Sequence, residues 1–250
     1  MRLVRAEVLK IAKRRGTMIW CAILTVGAVL VAIVVLLALH AANPAHHGPA
    51  GGAQNFKNLM FVLTGLGGVA AILIGSAAGT QDVQAGVFRD LVVTGRPRTT
   101  LFAVRYPGAI LTFLPLLAIG FALVTAASYL FAGSRPEPTG AEVGRFAAYA
   151  VAAMLVNIAI AIGLAAFASS RVVVGVLIAW NAIVAQLLAS ISALGGARRA
   201  IDVEAAEHFL PAHVDNSRVA MSLGTALIVL VAWIGVFLAA GRWWTQRRDA

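Results

Sequence analysis

The side chains able to do chemistry are few, and they gather at the ends of long apolar runs. Inside the runs the notable polar groups are three amides: Asn157 in the fourth run, and Asn181 and Gln186 in the fifth. Ser128, Tyr129, Ser190 and Ser192 lie nearer the run ends. Amides within a helix bundle either bond across helices, for about 0.6–2 kcal/mol each, or line a path for a polar substrate; both uses fit this pattern. No Asp, Glu, Lys, Arg or His falls in the central part of a run, whereas ion-coupled carriers keep an ionisable relay at membrane depth, so a secondary transporter is disfavoured. The 5 histidines, His40, His46, His47, His208 and His213, all fall in polar connectors. Glu204 and His208 stand one helical turn apart, but His46-His47 sits among Gly and Pro with no spacing that fixes ligand geometry, and no metal site is expected. The lone Cys21 rules out an internal disulfide or a thiolate cluster. There is no Gly-Lys pair, hence no Walker loop, and no nucleophile–base pairing suggests a catalytic residue. If ATP drives this protein, another chain binds it.

The most structured polar stretch is Gly79 to Arg105, GTQDVQAGVFRDLVVTGRPRTTLFAVR. Read as a helix, Val83, Val87 and Leu91 recur every four residues, and Phe88 and Val92 widen the stripe, while Gln84, Arg89 and Asp90 point elsewhere. Asp82 is placed to cap its start, Gly95 and Pro97 to end it, and Thr99 or Thr100 to cap the next helix. This is a bounded amphipathic element between two hydrophobic segments. Its apolar stripe suits a partner protein or a headgroup layer.

Long apolar runs must hold these residues. Of 250 residues 60% are hydrophobic and 12% charged, about half the charge of an ordinary soluble domain. Mean hydropathy is +0.88, the mark of a polytopic membrane protein. The N-terminal MRLVRAEVLKIAKRR places Leu3, Val4, Val8, Ile11 and Ala12 on one arc and Arg2, Arg5, Lys10 and Lys13 on the other, an interfacial helix over residues 1–16 with its bases toward lipid phosphates. Glu7 can pair with Lys10 within it. Spans are expected over Thr17 to Leu39, Asn58 to Ala78, Tyr106 to Phe131, two within Phe146 to Gly196 separated at Ser169-Ser170-Arg171, and Val219 to Gly241. The second carries Gly67, Ala71, Gly75 and Gly79 at four-residue spacing, a groove for a closely packed neighbour or simple Gly and Ala enrichment. Pro107 and Pro115 are placed to kink the third. Connectors fall at His40 to Asn55, Ala132 to Arg145 and Ala197 to Arg218, the last with a short amphipathic helix stopped by Pro211. The expectation is one all-α transmembrane domain of six helices over residues 1–250, with the 79–105 loop on one side and the 197–218 segment on the other.

Basic residues orient it. One side holds Arg2, Arg5, Lys10, Lys13, Arg14, Arg15, Arg89, Arg96, Arg98, Arg105, Arg171, Arg242, Arg247 and Arg248; the other holds Lys57, Arg135, Arg145, Arg198, Arg199 and Arg218. The first side, with both termini, is cytoplasmic by the positive-inside rule. Acids reinforce the asymmetry, so the net charge of +10 sits on that face. Anionic lipid accounts for it, and nucleic acid is not needed as a partner. With Arg 17 and Lys 3, the composition suits a GC-rich bacterium and its cytoplasmic membrane.

The chain resembles the membrane permeases of type-two exporter family ABC transporters. The likeness covers nearly the whole chain: the elbow-like RAEVLKIAKRRGTMIW, six spans with both termini inside, a short turn between the fourth and fifth, and an outer excursion before the sixth. Its most informative piece, DVQAGVFRDLVVTGRPRTTLFAVR, is similar to the family's cytoplasmic loop with an acidic residue, a glycine and a Pro-Arg pair. In that family the loop forms a coupling helix seated in the ATPase subunit. The resemblance implies ATPase contact or loop geometry for Asp82, Gly86, Arg89, Leu91, Thr94, Arg96 and Arg98, with Val83, Val87 and Phe88 on the apolar stripe. Asp82 stands where a glutamate is common in relatives. The resemblance further implies a second permease copy or a sister permease, and ATP and magnesium on the ATPase subunit, none of them bound by this chain. A non-transporting membrane sensor or assembly factor using the outer histidines is the competing expectation, and a lipid-modifying membrane enzyme a third.

Overall fold

Continuous apolar sequence leaves helix as the solution that satisfies every backbone polar group away from water, and helix is the dominant structure in the computed structural model of the chain. It describes residues 2–84, 97–212, 214 and 218–247, and among these there is no strand. The helices are α1 (Arg2–Ala12), α2 (Arg15–Ala42), α3 (Ala53–Gln84), α4 (Arg98–Ala103), α5 (Arg105–Leu130), α6 (Gly140–Leu164), α7 (Ser170–Ser190), α8 (Asp202–Glu207) and α9 (Leu223–Arg247). Six of them, α2, α3, α5 with α4 at its head, α6, α7 and α9, are long and apolar enough to cross a membrane. The chain is a multi-pass helical membrane protein.

At the centre lies α3, packed by α2, α5, α6 and α7. Its small residues make this possible. A Cβ on Gly75 would stand 2.8 Å from the Ala161 Cβ and 2.9 Å from the Ile158 carbonyl oxygen, and one on Gly79 would strike Ala165. Gly75 and Gly79 of the stripe therefore form the seam against α6, while Gly67 faces Thr25 of α2. One face of α6 meets α3 there and another meets α9, where Gly163 abuts the Phe237 carbonyl. Aromatic edges close the core above, with Phe56 and Phe146 rings 5.3 Å apart and nearly perpendicular. In contrast α2, α7 and α9 leave Val31, Val34, Val176, Leu187, Ile228 and Val231 exposed, as lipid-facing helices do.

Several sequence boundaries move. The N-terminal helix ends at Ala12 rather than at residue 16, and Arg15 already belongs to α2. Lys10 turns inward instead of toward lipid, because two buried carboxylates attract it. The second span does not stop at Ala78: it runs on through Asp82 and its helix to Gln84, so Gly79–Gln84 is helix rather than loop and Asp82 lies within a helix rather than at its start. Likewise Thr99 and Thr100 lie inside α4, whose N-cap is Pro97. The described parts of the 79–105 stretch thus belong largely to α3, α4 and the start of α5. The fourth span starts at Gly140 within the expected connector, behind a capping box in which Thr139 and Glu142 satisfy each other's backbone N–H groups. The turn between the fourth and fifth spans is Ala165–Ser169, and Arg171 is in the first turn of α7. Finally α7 ends at Ser190, six residues before the apolar run does; from Ser192 the chain folds back through tight turns, kinked at Gly195, into α8.

Candidate functional site

Two places concentrate polar chemistry. The first lies at the end of the bundle where both termini gather. Asp82 at the end of α3 accepts from Lys10 Nζ of α1 at 2.9 Å and from Arg105 Nη2 at the start of α5 at 3.2 Å. Arg105 also donates to the Gly79 carbonyl at 3.0 Å, and its guanidinium lies 5.7 Å from the Phe102 ring. Lys10 pairs as well with Glu7, whose side chain rests on Gly108 of α5. The four charges alternate in sign and sum to zero, which is what lets them be buried. Burial pushes the Glu7 carboxyl above its ordinary value, and Lys10 pulls it back in part.

This cluster closes around the ends of the segment between α3 and α4. Of the residues expected at an ATPase contact, Gly86, Val87, Phe88, Arg89, Leu91, Thr94 and Arg96 lie outside the described residues, as do Asp90, Val92 and Gly95. Val83 is helical, with its side chain outside the description. Asp82 faces the protein interior, while Arg98 heads α4 and reaches the Gln246 carbonyl of α9 at 3.5 Å. Both flanks of the segment are thereby tied to the bundle. From its position Asp82 is expected at a helix start and an ATPase contact; its ion pairs leave no local signature, because Lys10 and Arg105 lie 72 and 23 residues away and only the helix packing brings them together.

The second place lies among α3, α6, α7 and α8, where a cavity of about 290 Å³ opens. It gathers all three amides singled out from sequence. Asn181 Nδ2 donates to Asn157 Oδ1 at 2.9 Å, joining α6 to α7, and each amide also bonds a carbonyl of its own helix, Asn157 to Ala153 and Asn181 to Leu177. Gln186 lines the cavity farther along α7, and its backbone carbonyl accepts from Arg218 Nη1 at 2.7 Å. Hence the Asn157 and Asn181 amides serve helix packing and face a space at once. The gap exists because Gly65 and Gly68 of α3 bring no side chains to it.

At the cavity's end stands α8, which the sequence marked only as a mixed-charge helix. Its Asp202 is 3% exposed and takes a hydrogen bond from Trp180 Nε1 of α7 at 2.9 Å. Burial raises its pKa, with the Trp180 and backbone N–H bonds opposing. Neighbouring Glu204 accepts the Arg218 backbone N–H at 2.7 Å. Trp233 of α9 lies 5.5 Å from Trp180 and donates to the Ala200 carbonyl, pinning the fold-back. No sequence signal paired Trp180 with Asp202, since the return of the chain after Ser190 decides it.

His40 lies in the last turn of α2 rather than in a connector and meets the His47 backbone carbonyl at 2.6 Å, and His213 lies outside the described residues. Among the described residues no three of His, Cys, Asp and Glu converge as metal ligands. Cys21 is buried against the Ala70 carbonyl of α3, a packing position. No family model matches this chain, and a search of the curated proteins finds no match either.

Proposed function

We propose that this chain is the permease subunit of an ATP-driven ABC exporter, set in a bacterial cytoplasmic membrane with both termini on the cytoplasmic side. The observation that carries the reading is the ion cluster at the flanks of the 85–96 segment. Asp82, Arg105 and Lys10 join the last turn of α3, the first turn of α5 and the interfacial helix α1. A force applied to the segment between α3 and α4 would reach three helices at once, and α3 is the helix on which the bundle is packed. That is the mechanical requirement for a coupling element.

In this reading a separate ATPase subunit, carrying ATP and magnesium, receives the apolar stripe of Val83, Val87, Phe88 and Leu91. Arg89, Arg96 and Arg98 supply positive charge around it, and Gly86 and Thr94 shape the loop. Closure of the ATPase dimer shifts the six-helix domain between inward- and outward-open states. A second copy or a sister permease completes the assembly, with exposed faces of α2, α7 or α9 available for it.

Co-expression with a Walker-containing ATPase tests the proposal. The two chains are expected to co-purify, and Val87→Asp with Leu91→Asp is expected to abolish the complex while the permease still reaches the membrane. An unchanged complex in that variant would overturn the interface.

A further inference from the structure

We propose that the cavity between α3, α6, α7 and α8 is a binding site for a small organic cation with an apolar arm, held by the Asp202 carboxylate. This site goes beyond the exporter reading and stands without it, because binding is measured on this chain alone.

The argument begins with a buried acid. Asp202 is 3% exposed, and among the described residues no cationic side chain lies within ion-pair distance of it. Arg218, the nearby base, is used elsewhere: its guanidinium donates to the Gln186 carbonyl and its backbone N–H to Glu204. A carboxylate out of water without a counter-charge is costly. The contrast with the other end of the molecule is informative, for there each buried carboxylate has its own cation. Asp202 has only neutral donors among its described partners, Trp180 Nε1 and the backbone N–H groups of Asp202 and Val203, and it borders the cavity.

The walls of that space define the rest of the ligand. The lining contains two acids, Asp202 and Glu207, and no lysine or arginine. Phe61 offers an aromatic ring to a cation or its arm, and Val69, Ile72 and Ile178 supply apolar surface. Tyr149, Gln186 and the Asn157–Asn181 pair add polar groups to the wall. From Tyr149 to Asn157 the cavity follows α6 for eight residues, about 12 Å at 1.5 Å per residue. A volume of about 290 Å³ is at the low end for ligand pockets, so the ligand is small. Gly65 of α3 and Ala182 of α7 are exposed at the cavity's side, which gives an amphiphile an entrance from the apolar surface between these helices.

The test uses the purified full chain in lipid nanodiscs, titrated with 4-phenylbutylamine and with its uncharged isostere 4-phenylbutanol, read by isothermal calorimetry. The amine is expected to bind at least about 10-fold tighter than the alcohol, a difference of about 1.4 kcal/mol. Asp202→Asn keeps an acceptor for Trp180 and is expected to erase that preference. Gly65→Leu fills the space, since a Cβ there meets nothing within 4 Å, and is expected to weaken both ligands about 10-fold. Gly235→Leu, at an equally open position on α9, is expected to change neither. Equal affinity for the two ligands, a preference that survives Asp202→Asn, or binding indifferent to Gly65→Leu would each overturn the site. If Asp202→Asn fails to fold, the ligand pair and Gly65→Leu still decide.

Discussion

The ion cluster makes a quantitative prediction, with Asp82→Asn as the perturbation. The Asp82 side chain is 5% exposed and that of Arg105 2%, so the substitution takes a buried guanidinium's carboxylate partner away while leaving neutral contacts such as the Gly79 carbonyl and the Phe102 ring. It also removes one of the two carboxylates holding Lys10. Removing one partner of a buried pair costs about 3–5 kcal/mol, most of it the penalty of the charge left behind. At about 2–4 °C per kcal/mol for a chain of this size, the loss in Tm is about 6–20 °C. Adding Arg105→Met deletes the stranded cation and returns the cluster to neutrality through Glu7 and Lys10, so the double variant should recover more than half the loss. The assay is thermal melting of the purified protein in detergent, followed by tryptophan fluorescence, for wild type, both single variants and the double. A single Asp82→Asn variant that melts within about 2 °C of wild type, less than 1 kcal/mol, would refute the reasoning. So would a double variant that melts no higher than the worse single.

Two further outcomes follow from packing and charge. Gly75→Val should destabilise the protein by about 1–3 kcal/mol or more, since the new Cβ meets the Ile158 carbonyl of α6 and backbone cannot step aside; the same melting assay checks it, with Gly65→Val as the tolerated counterpart. Glu7 sets a pH dependence: its folded pKa is raised above 4.5 by burial, so its contribution to stability is fully present below that value and is lost as pH rises through the raised one. Melting temperature measured from pH 4 upward should fall through this window in wild type, and Glu7→Gln should flatten that part of the profile.

What the sequence determined by itself is the part governed by continuous apolar length. Six spans, the connectors and the small-residue seam along α3 were legible because a bilayer-crossing helix needs an uninterrupted apolar run and a close crossing needs glycine. Asn157, Asn181 and Gln186 were legible as a set, because amides are conspicuous in such runs. Helix ends were less so: α6 begins at Gly140 in polar sequence because Thr139 and Glu142 cap it, and α3 continues past Gly79 because Asp82 meets its counter-charges there. Only the tertiary structure decided which charges meet. Lys10, Asp82 and Arg105 come from three helices, and Asp202 reaches Trp180 because the chain turns back after Ser190. Hydropathy is a property of a segment, whereas an ion pair or a cavity belongs to segments that are distant along the chain, and no local pattern encodes the crossing that joins them.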